Sequence, residues 1–249
     1  MLNTAVVTGG SKGIGLSIVE NLLSNGWNVV SASRTSSELP KSANNDNFLH
    51  IEGDVRNRDF HEKLAKSAID KFSSLNAYVN NAGFSEWRSL EMIDDVFLNQ
   101  IFETNIFSYF YGCKAASKYI KTGSIVNISS IAGKRGSINN SAYVATKFGV
   151  EGLTQSLAKE LGTKQIRVNA ICPVLIETPG LISALSGDSS PNLEKNSKEF
   201  FKEFAKTQSA LNRLPTLQEV SDFWLYLLSD QASGITGQSI NVDCGVLPG

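Results

Sequence analysis

Tyr143 and Lys147 stand four residues apart in Tyr143-Val144-Ala145-Thr146-Lys147. On a helix that spacing stacks two side chains on one face, so a phenol and an ammonium point into the same space. Alone, such a pair reads as a surface pair. Ser130, thirteen residues upstream at the C-terminal end of a predicted strand, changes the reading, because ligands of open α/β sheets sit beyond those strand ends. Asn80-Asn81-Ala82-Gly83 closes the preceding strand at the same edge.

Other proton-transfer and nucleophilic chemistries have little to work with. Only two histidines occur, His50 at a predicted strand and His61 in Asp59-Phe60-His61-Glu62-Lys63, which reads as the wet face of a helix. Neither has a nucleophile nearby in sequence, which argues against a Ser-His-Asp hydrolase. Cys113, Cys172 and Cys244 are far apart, odd in number and not at metal-ligand spacing, so no zinc site or disulfide framework is expected. They read as buried small hydrophobes. Acid/base work falls to Tyr, Lys or carboxylates.

A second cluster suits a phosphate. Thr8-Gly9-Gly10-Ser11-Lys12-Gly13-Ile14-Gly15 lies between the first predicted strand and an apolar helix. Glycines there let the backbone approach a pyrophosphate, and the helix start offers it unpaired N–H groups.

These residues need a scaffold, and the rest of the chain supplies it. Strand-length apolar runs alternate with helical periodicity, the pattern of an α/β Rossmann-type, doubly wound, mainly parallel sheet with helices on both faces. Seven strands are predicted near 4–8, 28–33, 48–52, 77–80, 124–129, 166–171 and 239–242, with helices over 14–25, 58–73, 93–120, 141–162 and 216–229. Thr216 and Glu219 form a capping box for the last helix. Two polar stretches lack a period, a surface connection over 35–47 and an insertion at about 176–213 that reads as a mobile substrate lid. The 249 residues form one domain, 1–249.

The formal net charge is −1, with 23 Lys and Arg against 24 Asp and Glu, so no polybasic field draws nucleic acid or an anionic membrane. No leader segment and no run of eighteen apolar residues is seen, and the expected location is cytoplasmic.

Taken in order, the glycine loop, Asp54-Val55, Asn80-Asn81-Ala82-Gly83, Asn105, Ser130, Tyr143 with Lys147, and Asn241-Val242-Asp243 resemble the short-chain dehydrogenase/reductase family. The likeness covers essentially the whole chain and points to the compact branch of about 250 residues, including 3-oxoacyl-(acyl-carrier-protein) reductase-like members. The resemblance implies hydride transfer between a nicotinamide dinucleotide and a carbonyl/alcohol pair. It makes Tyr143 the general acid or base, with Lys147 favouring its phenolate and holding the nicotinamide ribose. Ser130 would bind the substrate oxygen and Asn105 would order a water leading protons to Lys147.

The implied cofactor residues are Gly9, Ser11, Lys12, Gly13, Ile14, Gly15, Ser33, Arg34, Asp54, Val55, Asn81, Ala82, Gly83, Tyr143, Lys147, Pro173, Val174, Ile176 and Thr178. In this fold a carboxylate ending the second strand pairs with the ribose diol of NAD, whereas an Arg there accommodates the phosphate of NADP. Here that end reads Ala32-Ser33-Arg34 and the loop adds Lys12, so NADP(H) is expected over NAD(H). Two departures stand out. Val174 occupies a position where the family places Gly, which puts the nicotinamide-side wall in question, and Cys244 replaces another Gly, bearing on subunit packing.

The substrate is less determined, a 3-oxoacyl thioester, a keto sugar or another ketone. Phe84, Ser85, Trp87, Arg88, the 131–135 segment and the lid are candidate lining, and Arg88, Lys134, Arg135 and Arg213 a candidate anion-friendly rim. Lys121 and Lys164 are candidate contacts for an acyl carrier protein. A non-catalytic NADP-binding scaffold or sensor, or a sugar epimerase or dehydratase, is the alternative. Ile101, Phe102, Phe107, Phe110, Phe148, Val150, Leu153 and Leu157 supply more apolar surface than one sheet face needs, and a homotetramer, or a dimer, is expected.

Overall fold

The computed structural model describes residues 2–35, 40, 42–191 and 196–248; the remainder of the 35–47 connection and of the expected lid lies outside these. Seven strands form one parallel sheet in the order β3-β2-β1-β4-β5-β6-β7. They are β1 Thr4–Thr8, β2 Asn28–Ser33, β3 Phe48–Glu52, β4 Ala77–Asn80, β5 Gly123–Ile128, β6 Ile166–Pro173 and β7 Ser239–Val242. The central strands are apolar on both faces, as a sheet covered on both sides requires: Ala5, Val6, Val7, Val29 and Val30 are fully buried.

One face is covered by α2 (Arg58–Phe72), α4 (Ser108–Tyr119) and α5 (Ser141–Leu161), through Leu64, Ala116 and Val150 among others. The other is covered by α1 (Gly13–Ser24) and α8 (Leu217–Leu228), through Ile18, Leu22 and Trp224. The expected capping box is present: Glu219 N–H donates to Thr216 Oγ1 and Thr216 N–H to Glu219 Oε2.

Two expected elements differ. The helix expected over 93–120 is broken into α3 (Asp95–Phe102) and α4 by a π-helical turn at Glu103–Phe107. The insertion expected to be aperiodic carries α6 (Pro179–Leu185) and α7 (Ser197–Gln208). Thr178 and Asn196 cap them, each side-chain oxygen accepting a first-turn N–H. In α7 only Phe201 and Ala205 are buried, a stripe too thin to register against its lysines and glutamates.

His61 corrects the sequence reading: it is buried, 1 % exposed, not on a wet helix face. Its Nε2–H donates to the Val55 carbonyl at 2.7 Å, which fixes the tautomer, so Nδ1 accepts from the Tyr78 hydroxyl at 2.8 Å. Burial pushes its pKa down to about 4. The unfolded chain therefore binds a proton near pH 6.5 that the folded chain refuses until about pH 4. Stability is full above pH 6.5 and falls by roughly 3 kcal/mol as the pH drops to 4. Melting temperatures between pH 4 and 7 should show this loss, and His61→Leu should flatten it while lowering stability at pH 7. Parallel curves for the two proteins would contradict the assignment.

Candidate active site

The sheet order reverses direction at β1, which pairs β2 on one side and β4 on the other, so the following segments diverge and open a crevice. Asn81 bridges it. Its Nδ2 donates to the Thr8 carbonyl at 2.9 Å and to the Gly9 carbonyl at 3.2 Å, while Thr8 Oγ1 accepts from the Asn81 and Ala82 N–H groups.

The glycine loop is shaped by this contact. Gly9 (φ 68°) and Gly13 (φ 56°) adopt left-handed backbone, and a Cβ on Gly15 would lie 2.1 Å from the Gly9 oxygen. At the start of α1, Lys12 has extended backbone and makes no side-chain cap, and the first turn has no acidic residue. Those N–H groups and the positive helix end face the crevice, a fit to the pyrophosphate of a dinucleotide. Ser11 and Ile14 are partly buried and Lys12 is exposed. Thr178, ahead of α6, packs against Gly13, where its Cγ2 would lie 3.3 Å from a Cβ. The pocket's roof and floor thus meet.

Ser33 ends β2 buried and Arg34 follows it exposed. The Ser33 hydroxyl bonds Thr35 O and His50 Nε2. Glu52, in register with Ser33 one strand over, holds up the His50 pKa against the larger effect of burial, which lowers it. Asp54 is taken by Arg56, with N–O distances of 2.6 and 2.9 Å, and that bond holds its carboxyl below the usual range. Val55 is buried under the His61 clamp.

Ser130, Tyr143 and Lys147 lie at the other half of the crevice. Ser130 follows β5, and its Oγ accepts from Ala132 N–H and pulls the acidity of the Tyr143 phenol toward the ionised form. Lys147 is 2 % exposed, and its Nζ donates to the Ile128 carbonyl at 2.7 Å and sits 5.6 Å from the Tyr143 ring centroid. Burial pushes the Tyr143 phenol up to about 12, against the downward pull of Ser130, and pushes Lys147 down to about 8. Taking both groups out of water favours the neutral form of each.

Asn105 lies fully buried in the π turn. Its Oδ1 accepts from Phe84 N–H at 3.0 Å and its Nδ2 donates to Phe84 O at 2.8 Å. The side chain clamps the segment after Gly83. Gly83 is small because Asn105 Oδ1 would lie 3.1 Å from a Cβ there.

Beyond β6, Pro173 pairs with Val242, and Ile176 packs beside Ile14 and Trp224. Val174 has no left-handed backbone. Instead its side chain joins Ile131 and Val246 in an apolar cluster to which Phe204 of α7, Leu175, Leu214 and Leu247 add. A glycine could not fill that space. Cys244, by contrast, does carry left-handed backbone (φ 55°), and its carbonyl accepts from Ser209 Oγ and Leu211 N–H, tying the tail to the end of α7.

The expected anion-friendly rim is mostly spent. Arg88 bonds Glu86 at 2.6 Å, reaches Asp94 at 3.6 Å and stacks 4.0 Å over Phe97. Lys134 donates to Ser239 O, and Arg213 pairs with Glu219 at 2.7 Å. Lys121 and Lys164 precede β5 and β6, which places them at the opposite, N-terminal edge of the sheet, away from Ser130 and Tyr143. Phe97, which packs edge-on against Phe84 beside Tyr143, went unread, since it shows no partner until α3 is placed.

A family model described as short chain dehydrogenase matches residues 3–187. The chain belongs to that family. It is 33 % identical to L-2,3-butanediol dehydrogenase of Corynebacterium glutamicum, covering 99 % of each chain. It is equally 33 % identical to a 3-oxoacyl-[acyl-carrier-protein] reductase of Staphylococcus aureus, over 99 % of this chain and 98 % of that one. Among solved structures, ligand-free aldohexose dehydrogenase of Thermoplasma acidophilum superposes with a TM-score of 0.88 at 32 % identity, covering 98 % and 94 %. An actinorhodin polyketide ketoreductase variant with NADPH gives 0.90 at 30 %, covering 98 % and 97 %. This short-chain dehydrogenase is therefore an oxidoreductase of the CH–OH/carbonyl type that takes a nicotinamide cofactor. No helix among its described residues is long and apolar enough to cross a membrane.

Proposed function

We propose that the protein is an NADP(H)-dependent carbonyl reductase for an uncharged ketone, running in reverse on the matching secondary alcohol. The observation that carries this reading is the gathering of Ser130, Tyr143 and buried Lys147, whose Nζ sits 5.6 Å from the Tyr143 ring centroid, at the C-terminal edge of the sheet. The bound nicotinamide supplies the hydride. Ser130 and Tyr143 hold the carbonyl oxygen, Tyr143 gives its proton to the developing alkoxide, and Lys147 lowers the cost of the phenolate left behind.

Specificity for the 2′-phosphate rests on Arg34 and Lys12. Arg56 already neutralises Asp54, so Arg34 keeps its charge for a phosphate. The rest of the cofactor would lie on Gly9, Ser11, Gly13, Ile14 and Gly15, with Ser33, Val55, Asn81, Ala82 and Gly83 along the adenosine side and Pro173, Val174, Ile176 and Thr178 beside the nicotinamide. An uncharged substrate is favoured over an acyl carrier conjugate because Arg88, Lys134 and Arg213 have partners and Lys121 and Lys164 lie at the far edge. Catalysis is favoured over a scaffold role because Ser130, Tyr143 and Lys147 are brought together. Residues 176–213 are read as the lid of a single domain. Three free cysteines suit the reducing cytoplasm to which we assign it.

Phe107 at the end of the π turn, Phe110 on α4 and Phe148 on α5 are 46, 52 and 48 % exposed, and we assign this face to pairing within a homotetramer.

NADPH oxidation over a panel of diketones, keto sugars, ketosteroids and 3-oxoacyl thioesters should show turnover with an uncharged ketone. Tyr143→Phe should abolish that turnover while leaving cofactor affinity nearly intact. Full activity in the variant would refute the mechanism. Combined Arg34→Ala and Lys12→Ala should weaken NADPH at least tenfold more than NADH, and equal losses would remove the NADP preference. Light scattering should give about four times the 27.0 kDa chain mass, and a monomer would refute the assembly.

A further inference from the structure

We propose that Glu151 is a positioning residue for this reaction, a buried counter-charge one turn below Lys147 that keeps the lysine charged and fixed under Tyr143. The inference rests on the reading of Lys147 given above. Tyr143, Lys147 and Glu151 lie at successive i, i+4 positions of α5, a single stripe of phenol, ammonium and carboxylate. Glu151 is only 9 % exposed, where a helix face packed on a sheet ordinarily carries an apolar residue.

Its surroundings are built around the carboxylate. Cys172 of β6, fully buried, donates its thiol to Glu151 Oε1 at 3.3 Å. The short 3-10 turn that follows Ser130 presses on the same spot: a Cβ on Gly133 would lie 3.1 Å from Oε1, 2.9 Å from Lys147 O and 2.7 Å from Ser129 Oγ. A carboxylate buried this way needs a positive partner, since an isolated charge in the interior is costly.

The buried cation on the same stripe is Lys147, one turn away. Facing it are Tyr143 and Glu151 on its own helix, Cys172 from β6, Tyr109 from α4 with its ring centroid 5.3 Å away, and the Ile128 carbonyl from β5. Tyr109 donates its hydroxyl to that same carbonyl and is held protonated by burial. The Cys172 thiol is pushed up to about 12, chiefly by burial, and stays neutral. Lys134 feels Cys172 but spends its Nζ on Ser239 O. Glu151 is left as the charge that offsets the desolvation of Lys147, which alone drives the ammonium down.

Glu151→Gln keeps the shape and the acceptor for Cys172 and removes only the charge. In the wild type kcat/KM for ketone reduction should fall as the pH rises through about 8, the Lys147 pKa. In Glu151→Gln that limb should move down by about one unit, an activity loss of about tenfold at pH 8 and little at pH 6. Cys172→Ala retains the carboxylate and should leave the limb in place. A pH-independent loss in Glu151→Gln, or an equal shift in Cys172→Ala, overturns the proposal.

Melting curves give a readout without turnover. At pH 6 to 7 the variant loses the attraction of two charges and should melt below wild type. At pH 9.5, with Lys147 neutral, wild type holds a lone buried carboxylate and the deficit should vanish or invert. If no carbonyl is turned over yet this crossing is seen, the functional reading fails and Glu151 stands; a deficit equal at both pH values overturns Glu151 itself.

Discussion

The bond that the crevice depends on is the reach of the Asn81 amide across the gap between β1 and β4 to the Thr8 and Gly9 carbonyls. Parallel strands diverge here because their connections run to opposite faces, leaving backbone oxygens that no neighbouring strand can satisfy. Closing them with one side chain sets how near the glycine loop lies to the end of β4. That distance forces glycine at position 9, where a Cβ would meet Ala82 and Asn81 at 2.9 Å, and at 15, where it would meet the Gly9 oxygen. The helix start, Thr178 above it and the segment leading to Phe84 all take their positions from that closure.

Across the crevice the governing quantity is burial of charge. Tyr143, Lys147, Glu151, Tyr109 and Cys172 are packed where water would otherwise set their protonation. A desolvated phenol favours its neutral form and a desolvated ammonium likewise, so the pair rests as an acid beside a cation poorly matched to its surroundings. The carbonyl of Ile128 and the carboxylate below are what the protein provides in place of solvent.

The architecture was legible because it rests on period: all seven strands and the helices α1, α2, α5 and α8 follow from runs of Val, Ile and Leu and from caps such as Thr216 and Glu219. The reacting residues were legible because their chemistry demands particular side chains at fixed spacing, and the structure brings Ser130, Tyr143 and Lys147 together. What was not legible involves contacts between distant segments. His61 looked solvent-facing among Asp59, Glu62 and Lys63, yet Tyr78, seventeen residues on, supplies its buried partner. Arg88 and Arg213 looked like free cations because Asp94 and Glu219 meet them only in three dimensions. The grip of the Asn105 amide on both ends of Phe84 was equally out of reach of the sequence, and Val174 looked like a defect until Ile131, Phe204 and Val246 gathered around it.

The π turn at Glu103–Phe107 couples two properties that otherwise look separate. A π turn is in effect an α-helix with one residue inserted, and each residue carries about 100° of rotation. The insertion that brings Asn105 to Phe84 therefore also sets the phase of all of α4. Phe107 and Phe110 face outward while Tyr109 and Cys113 face the sheet. Deleting one residue would restore a regular helix and swing those faces round together. The clamp on the substrate wall and the exposed phenylalanine face thus form one heritable unit, and in evolutionary terms neither can drift without the other.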